Sequence, residues 1–198
     1  MKLLVAAVVA AALAIPAPAR ADIFVAPFVG LKFKGDTNEL DLGNGAKDAK
    51  LSVGLSGVIL SDKGIGAEAE VGYNPRFFER GDELADDLVT RSGVTTLFGN
   101  LMLALPVSIT RESLRPYAVA GLGWIHASAN DSIGFNAVSN DFLGLALGGG
   151  AIGFVTATTG LRFDVRYLKS ISSGDISTVN QESARISFWR ASIGVVFR

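Results

Sequence analysis

The sequence predicts an all-β fold, an eight-stranded antiparallel barrel of up-and-down topology that spans a membrane. Apolar residues recur at every second position in several stretches, which is the period of a strand with one apolar face. Polar connections of alternately shorter and longer length separate these stretches, as expected of a membrane barrel. The hydrophobic content is 49%, yet beyond the leader no run of about 18 apolar residues could form a spanning helix.

The first 21 residues have the features of a cleaved secretory signal peptide. Lys2 supplies a positive start, residues 3–15 form a short apolar stretch, and Ala19 and Ala21 provide a small-residue cleavage site. About 13 apolar residues are too few to cross roughly 30 Å of hydrocarbon as a helix, which argues against a membrane anchor. We therefore expect cleavage after residue 21 and one mature barrel domain over residues 22–198.

Composition excludes several classes of function. Without Lys2 and Arg20, 16 basic residues stand against 19 acidic residues, so nucleic acid is not an expected partner. The chain contains no cysteine, which excludes disulfides and thiolate metal sites. The acidic run at residues 82–87 lacks the fixed spacing of a calcium loop. We therefore expect no metal and no cofactor.

The first half of the mature chain contains four predicted strands, over residues 23–34, 51–60, 65–74 and about 93–105. In each strand, larger apolar residues occupy one face and small or polar residues occupy the other. The third strand shows the pattern clearly, because Glu68 and Glu70 alternate with Ala69 and Val71. This alternation predicts that the two carboxylates point into the barrel while the apolar residues face lipid.

The second half contains the other four predicted strands, over residues 117–128, 142–153, 161–167 and 185–198. The fifth is rich in small residues, so its faces are not assigned. The seventh has the strongest alternation, with Arg162, Asp164 and Arg166 between apolar residues, and Arg190 lies among the polar positions of the eighth. A soluble barrel with its apolar face inside gives the same period and is the alternative fold.

The connections predict an orientation in the membrane. Short turns are expected on the periplasmic side and long polar loops on the outside. The turns lie near Asp62, Ser113 and Thr158, and the loops lie near Asn44, Asp82, Asn136 and Asp175. The connection at residues 106–116 is longer than a turn at that end usually is.

The charges that point inward predict an ion-paired network of side chains in the lumen. The expected members are Glu68, Glu70, Arg162, Asp164, Arg166 and Arg190, with Lys32 nearby. An eight-stranded barrel has an interior just wide enough for side chains, so such a network would fill it. We therefore expect a structural or surface-interaction role, and a small channel is an alternative.

Residues 22–198 resemble the small outer-membrane β-barrel proteins grouped with the OmpA transmembrane domain and OmpX. The resemblance lies in the Pro-Tyr and glycine-rich segment at residues 115–124 and in the charged strand at residues 161–167. It implies a monomer in the bacterial outer membrane, in contact with outer-membrane lipid and lipopolysaccharide.

The closing strand is similar to the sorting signal that the barrel-assembly machinery recognises in this family. A polar residue, a glycine and an aromatic residue follow at the usual spacing, as Ser192, Gly194 and Phe197. The family usually has a further aromatic residue two positions later, whereas here only Arg198 follows. The resemblance implies the assembly machinery as a partner.

A competing function class, a hydrolase, depends on His126 and Ser128. Two positions apart on one strand, they share a face and could act as base and nucleophile, with Asp131 or Asp141 orienting the imidazole. The pair is similar to the His-x-Ser motif of outer-membrane lipid A deacylases, although in that family asparagine follows the serine, and here Ala129 does. A histidine at the membrane interface is the simpler interpretation, so we expect no enzyme activity.

Overall fold

The computed structural model of the 198-residue chain describes residues 21–37, 49–77, 89–110, 114–131, 137–171 and 186–198. The expected signal peptide lies outside the described residues except for Ala21, and β1 begins at that residue. The acidic run at residues 82–87 and the predicted centres of all four long loops also lie outside them.

Eight antiparallel strands close into a barrel in which consecutive strands pair and the last strand pairs with the first. The strands are β1 Ala21–Thr37, β2 Lys50–Ser61, β3 Ile65–Pro75, β4 Val89–Ala104, β5 Arg115–Asp131, β6 Ala137–Phe154, β7 Thr159–Ser170 and β8 Ile186–Phe197, and a helical turn α1 Val107–Thr110 follows β4. The predicted fold class is confirmed. Among the described residues, no helix is long and apolar enough to cross a membrane.

Strand parity separates the two faces of the barrel wall. Phe163, Val165 and Ile193 point outward and are 51%, 44% and 44% exposed, whereas Arg166 and Arg190 point inward and are fully buried. In water this arrangement would expose apolar surface and bury charge. In a bilayer it is the favourable one, because lipid contacts the apolar face and the backbone groups are satisfied between strands.

Several strands extend beyond the alternating stretches. β5 reaches Asp131 and β6 starts at Ala137, so the predicted loop at residues 129–141 is wrong over most of its length. β4 likewise starts at Val89, and α1 occupies part of the long connection at residues 106–116. The physical reason is that backbone hydrogen bonds continue a ladder whatever the side chains are, whereas apolar alternation is required only where lipid touches the wall.

We call the end of the barrel that carries the long connections the loop end, and the opposite end the turn end. Part of the sheet projects at the loop end. β6 pairs with β5 as far as Ala137, but its pairing with β7 begins only at Gly144. β4 continues beside β5 to Val89, whereas its pairing with β3 ends at Gly93. We call residues 89–92, 125–131 and 137–142 the β-tongue.

Candidate functional site

A network of three acidic and three basic side chains from three strands lies in the lumen. Glu68 and Glu70 come from β3, which lies four strands from β7 in the ring of eight and therefore opposite it. Arg162, Asp164 and Arg166 come from β7, and the sixth residue, Arg190, comes from β8. The structure brings all six together and buries them: their side chains are at most 5% exposed.

The six residues form an alternating chain of ion pairs across the lumen. On β7, Asp164 Oδ1 lies 2.6 Å from Arg166 Nε. Glu68 bridges two arginines, with Oε1 2.7 Å from Arg162 Nη1 and Oε2 2.8 Å from Arg166 Nη2. Glu70 then joins Arg166 Nη1 at 2.9 Å to Arg190 Nη2 at 2.7 Å. Asp164 Oδ2 also lies 3.2 Å from Arg162 Nη2, so each carboxylate contacts two guanidinium groups.

Three neutral side chains complete this network, and the sequence did not assign them to it. Arg162 Nε donates to Tyr117 Oη at 2.7 Å, and that hydroxyl donates to Asp164 Oδ2 at 2.5 Å. Asn100 Nδ2 donates to Glu68 Oε2 at 2.9 Å, and Ser56 Oγ accepts from Arg162 Nη1 at 2.9 Å. Strand parity already turns Ser56 and Asn100 inward, but the small residues of the fifth strand leave no such indication for the tyrosine.

Two cations, Lys32 and the Arg190 of the network, lie against aromatic rings toward the loop end. Lys32 Nζ donates to the carbonyl of Phe77 at 3.2 Å and lies 4.3 Å from the centre of its ring. The guanidinium carbon of Arg190 lies 4.6 Å from the centre of the Phe28 ring. Aromatic faces attract buried cations of this kind, so the aromatic residues help to stabilise charge in the lumen.

Apolar clusters fill the lumen on both sides of the ionic layer. The loop-end cluster includes the buried residues Phe98, Phe142 and Phe188. The turn-end cluster includes Phe24 and Met102. An ion that crossed the barrel would have to pass two apolar layers and a layer of buried ion pairs, so this lumen is packed like a core.

The outer wall carries a second polar group, near the loop end. His126 Nδ1 lies 2.6 Å from Asp141 Oδ1, and the two side chains are 33% and 37% exposed. The ring of Trp124 stacks on the imidazole with centroids 5.2 Å apart. Asp141 precedes the predicted sixth strand, which starts at residue 142, but in the structure it lies within β6, directly across from the histidine.

The structure does not complete a catalytic triad at this position. Ser128 Oγ donates to the carbonyl of Gly93 at 3.4 Å, and within the described part of the chain no contact joins it to His126. The side chain of Asp131, the other expected orienting residue, lies outside the described residues. The pair His126–Asp141 therefore has an oriented imidazole without an engaged nucleophile.

The residues of the expected assembly signal occupy β8 near the turn end. Ser192 lies across from Gly30 of β1, and Phe197 points outward with 51% of its surface exposed. Gly194 packs so closely against β1 that a Cβ atom would come within 2.7 Å of the Pro27 carbonyl oxygen. This position therefore accepts only glycine without a shift of the backbone.

Arg198, the residue that stands apart from the family pattern, joins the two ends of the described chain. Its Nη2 lies 2.6 Å from Asp22 Oδ2 on β1. Its guanidinium carbon also lies 4.3 Å from the centre of the Phe154 ring on β6. These contacts connect three strands at the turn end.

Among the described residues there is no cluster of three or more His, Cys, Asp or Glu side chains that could hold a metal ion.

Comparisons with known proteins agree with this architecture. A family model described as the outer membrane protein beta-barrel domain matches residues 5–197. Comparison with curated proteins finds no match.

Solved structures of similar fold come from several bacteria. Neisserial surface protein A is 15% identical with a TM-score of 0.60, covering 88% of this chain and 97% of that one. A major outer membrane protein from Thermus thermophilus is 13% identical with a TM-score of 0.60, covering 90% and 98%. OprG from Pseudomonas aeruginosa is 16% identical with a TM-score of 0.55, covering 90% and 95%.

Proposed function

Because the chain belongs to the outer membrane protein beta-barrel domain family, we propose that it is a closed scaffold of the outer membrane that binds extended partner segments at its β-tongue. The predicted family, the barrel fold and the location in the bacterial outer membrane are confirmed. The more specific role, surface interaction, is supported by one feature of the sheet, the open edge of β6.

Among the described residues, β6 has a neighbour on one side only over residues 137–142. The amide of Ile171 donates to the carbonyl of Leu143, so the backbone groups of Leu143 point toward β7. In an antiparallel ladder both groups of a residue point the same way and the direction alternates. Ser139 and Asp141 therefore present their backbone N–H and C=O groups at the open edge, where an extended peptide can add as a further strand.

The packed lumen supports a scaffold more than a channel. The six charges of its ionic network are paired with one another, and apolar side chains close both ends. A side-chain network that spans the barrel also makes the wall rigid, because the strands on opposite sides are tied together. A rigid wall holds the β-tongue in a constant geometry outside the membrane, which lowers the entropy lost on binding.

The remaining partners follow from location. The apolar outer wall contacts outer-membrane lipid and lipopolysaccharide, and the barrel-assembly machinery recognises Ser192, Gly194 and Phe197 after the signal peptide at residues 1–21 has been removed. The barrel acts as a monomer, since the ring of eight strands closes within one chain.

The open edge can be tested with a proline at Ser139. Proline removes the edge N–H but leaves the hydrogen bonds to β5 on the neighbouring residues. Peptides selected from a random library against the barrel in nanodiscs should bind Ser139→Pro at least about tenfold more weakly, and Ser139→Ala as well as the unaltered protein. Equal binding to both variants, or a library that yields no binding peptide, contradicts strand addition at β6.

A further inference from the structure

The outward face of β7 ends in a lysine at the loop end. Phe163, Val165, Tyr167 and Lys169 follow at every second position and share this face. Phe163 and Val165 are among the exposed apolar residues of the wall, and Lys169 is exposed as well. The lysine therefore sits just beyond the apolar band, on the side of the wall that faces lipid.

A row of aromatic residues marks the membrane boundary next to this lysine. Tyr167 on β7 lies across from Trp189 on β8, with ring centroids 5.2 Å apart, and Trp189 lies across from Phe33 on β1. Aromatic side chains collect at the level of the lipid headgroups. Lys169, one outward position beyond Tyr167, is therefore at headgroup depth, where a lysine extends its ammonium toward the polar layer.

The charge of Lys169 is not neutralised by the part of the protein that the structure describes. Its strand neighbours Leu145 and Ser187 carry no charge, and no described side chain pairs with its ammonium. The contrast with the neighbouring strands is direct, because Asp141 on β6 and His126 on β5 pair with each other at 2.6 Å. A lysine at the edge of the membrane whose ammonium no described side chain neutralises is available to a partner of opposite charge.

We propose that Lys169, seated above the Tyr167–Trp189–Phe33 row, binds the phosphate group of a glycolipid headgroup in the outer leaflet. A phosphate oxyanion matches the ammonium in charge, the aromatic row lies beside the sugar carrying it, and the apolar wall around Val165 receives the acyl chains. The exposed ammonium of Lys34, one residue beyond Phe33, adds positive charge to the same side of the rim. This inference rests on the proposed contact with outer-membrane lipid and gives that contact a location.

The test is the retention of defined lipids by the full chain, refolded in nanodiscs and counted by native mass spectrometry. The probes are bisphosphorylated lipid A, dephosphorylated lipid A, phosphatidylglycerol and inorganic phosphate. Lys169→Met should retain bisphosphorylated lipid A about fivefold less than the unaltered protein, the effect expected of one lysine near an anionic surface. Lys169→Arg should restore retention, and Lys63→Met, at an exposed lysine of the opposite end, should leave it unchanged.

The other probes separate the sources of phosphate. Dephosphorylated lipid A should be retained equally by Lys169→Met and by the unaltered protein, and inorganic phosphate should not displace the lipid. If Lys169→Met and Lys63→Met retain bisphosphorylated lipid A equally, the phosphate site is wrong. If dephosphorylated lipid A still binds the wall in that case, the lipid contact itself stands without the site. Preference for phosphatidylglycerol over lipid A would also overturn the assignment.

Discussion

Arg166 and Glu68 lie on opposite walls of the barrel and are joined by an ion pair, with Nη2 of the arginine 2.8 Å from Oε2 of the glutamate. The two residues are 98 positions apart in the sequence. Both are fully desolvated, so each needs the other: a buried charge that loses its partner is far more costly than the intact pair is stabilising. The pair thus ties β3 to β7 through the centre of the barrel.

Removing the central carboxylate should destabilise the barrel strongly. Glu68→Gln deprives Arg162 and Arg166 of a shared partner and should lower the free energy of unfolding by about 3–5 kcal/mol. Urea titration of the protein refolded into vesicles measures this difference, with Lys63→Gln in an exposed turn as the control. A loss below about 1 kcal/mol for Glu68→Gln is incompatible with the buried network.

The filled lumen should not conduct ions. The unaltered protein in a planar bilayer is expected to show no conductance steps, because two apolar layers flank the ionic layer. Phe98→Ala opens only the loop-end layer and should also be silent. Insertion is checked by the heat-dependent gel mobility of the recovered protein. Reproducible conductance steps from the unaltered protein would favour the channel alternative.

The two faces of β8 should respond differently to a new charge. Ile193→Arg places a guanidinium in lipid and should cost roughly 2–4 kcal/mol, whereas Ile193→Met should cost little. Ser192→Arg instead crowds the interior, where even a Cβ atom on Gly30 would come within 2.7 Å of the Ser192 Cβ. Ser192→Ala should therefore be tolerated. Refolding titrations in vesicles check all four variants, and a similar cost for the two Ile193 variants would contradict a lipid-facing position.

The outer-wall pair should not make the protein a hydrolase. His126 and Asp141 are paired, but Ser128 donates its hydroxyl to a backbone carbonyl, so no nucleophile is activated. Mass spectrometry of lipid A from producing cells should show no loss of an acyl chain. His126→Ala and Ser128→Ala should each change folding by no more than about 1 kcal/mol. If cells with the unaltered protein lose an acyl chain from lipid A and cells with Ser128→Ala keep it, the deacylase alternative is established.

The sequence predicts the direction of a side chain where one face of the strand contacts lipid and the other faces the lumen. On β7, Phe163 and Val165 had to face outward once Arg162 and Asp164 were assigned inward, because lipid does not accept the charges. The small residues of β5 can face either lipid or the lumen, and only the structure shows that Tyr117 faces the lumen. Beyond the apolar band no lipid contacts the strands, so apolar alternation is not required there. β5 and β6 therefore continue through the predicted loop and form the β-tongue.

The sequence by itself determined that the six charges of the network share the interior, since strand parity is a local property: a residue two positions along a strand returns to the same face. The tertiary structure decided how those charges pair. Glu68 meets both Arg162 and Arg166, while Glu70 meets Arg166 and Arg190. These partners depend on the closed ring of eight strands and on the register of each pair, which set the height at which every side chain enters the lumen. Register is a relation between strands, so it arises only when the barrel closes.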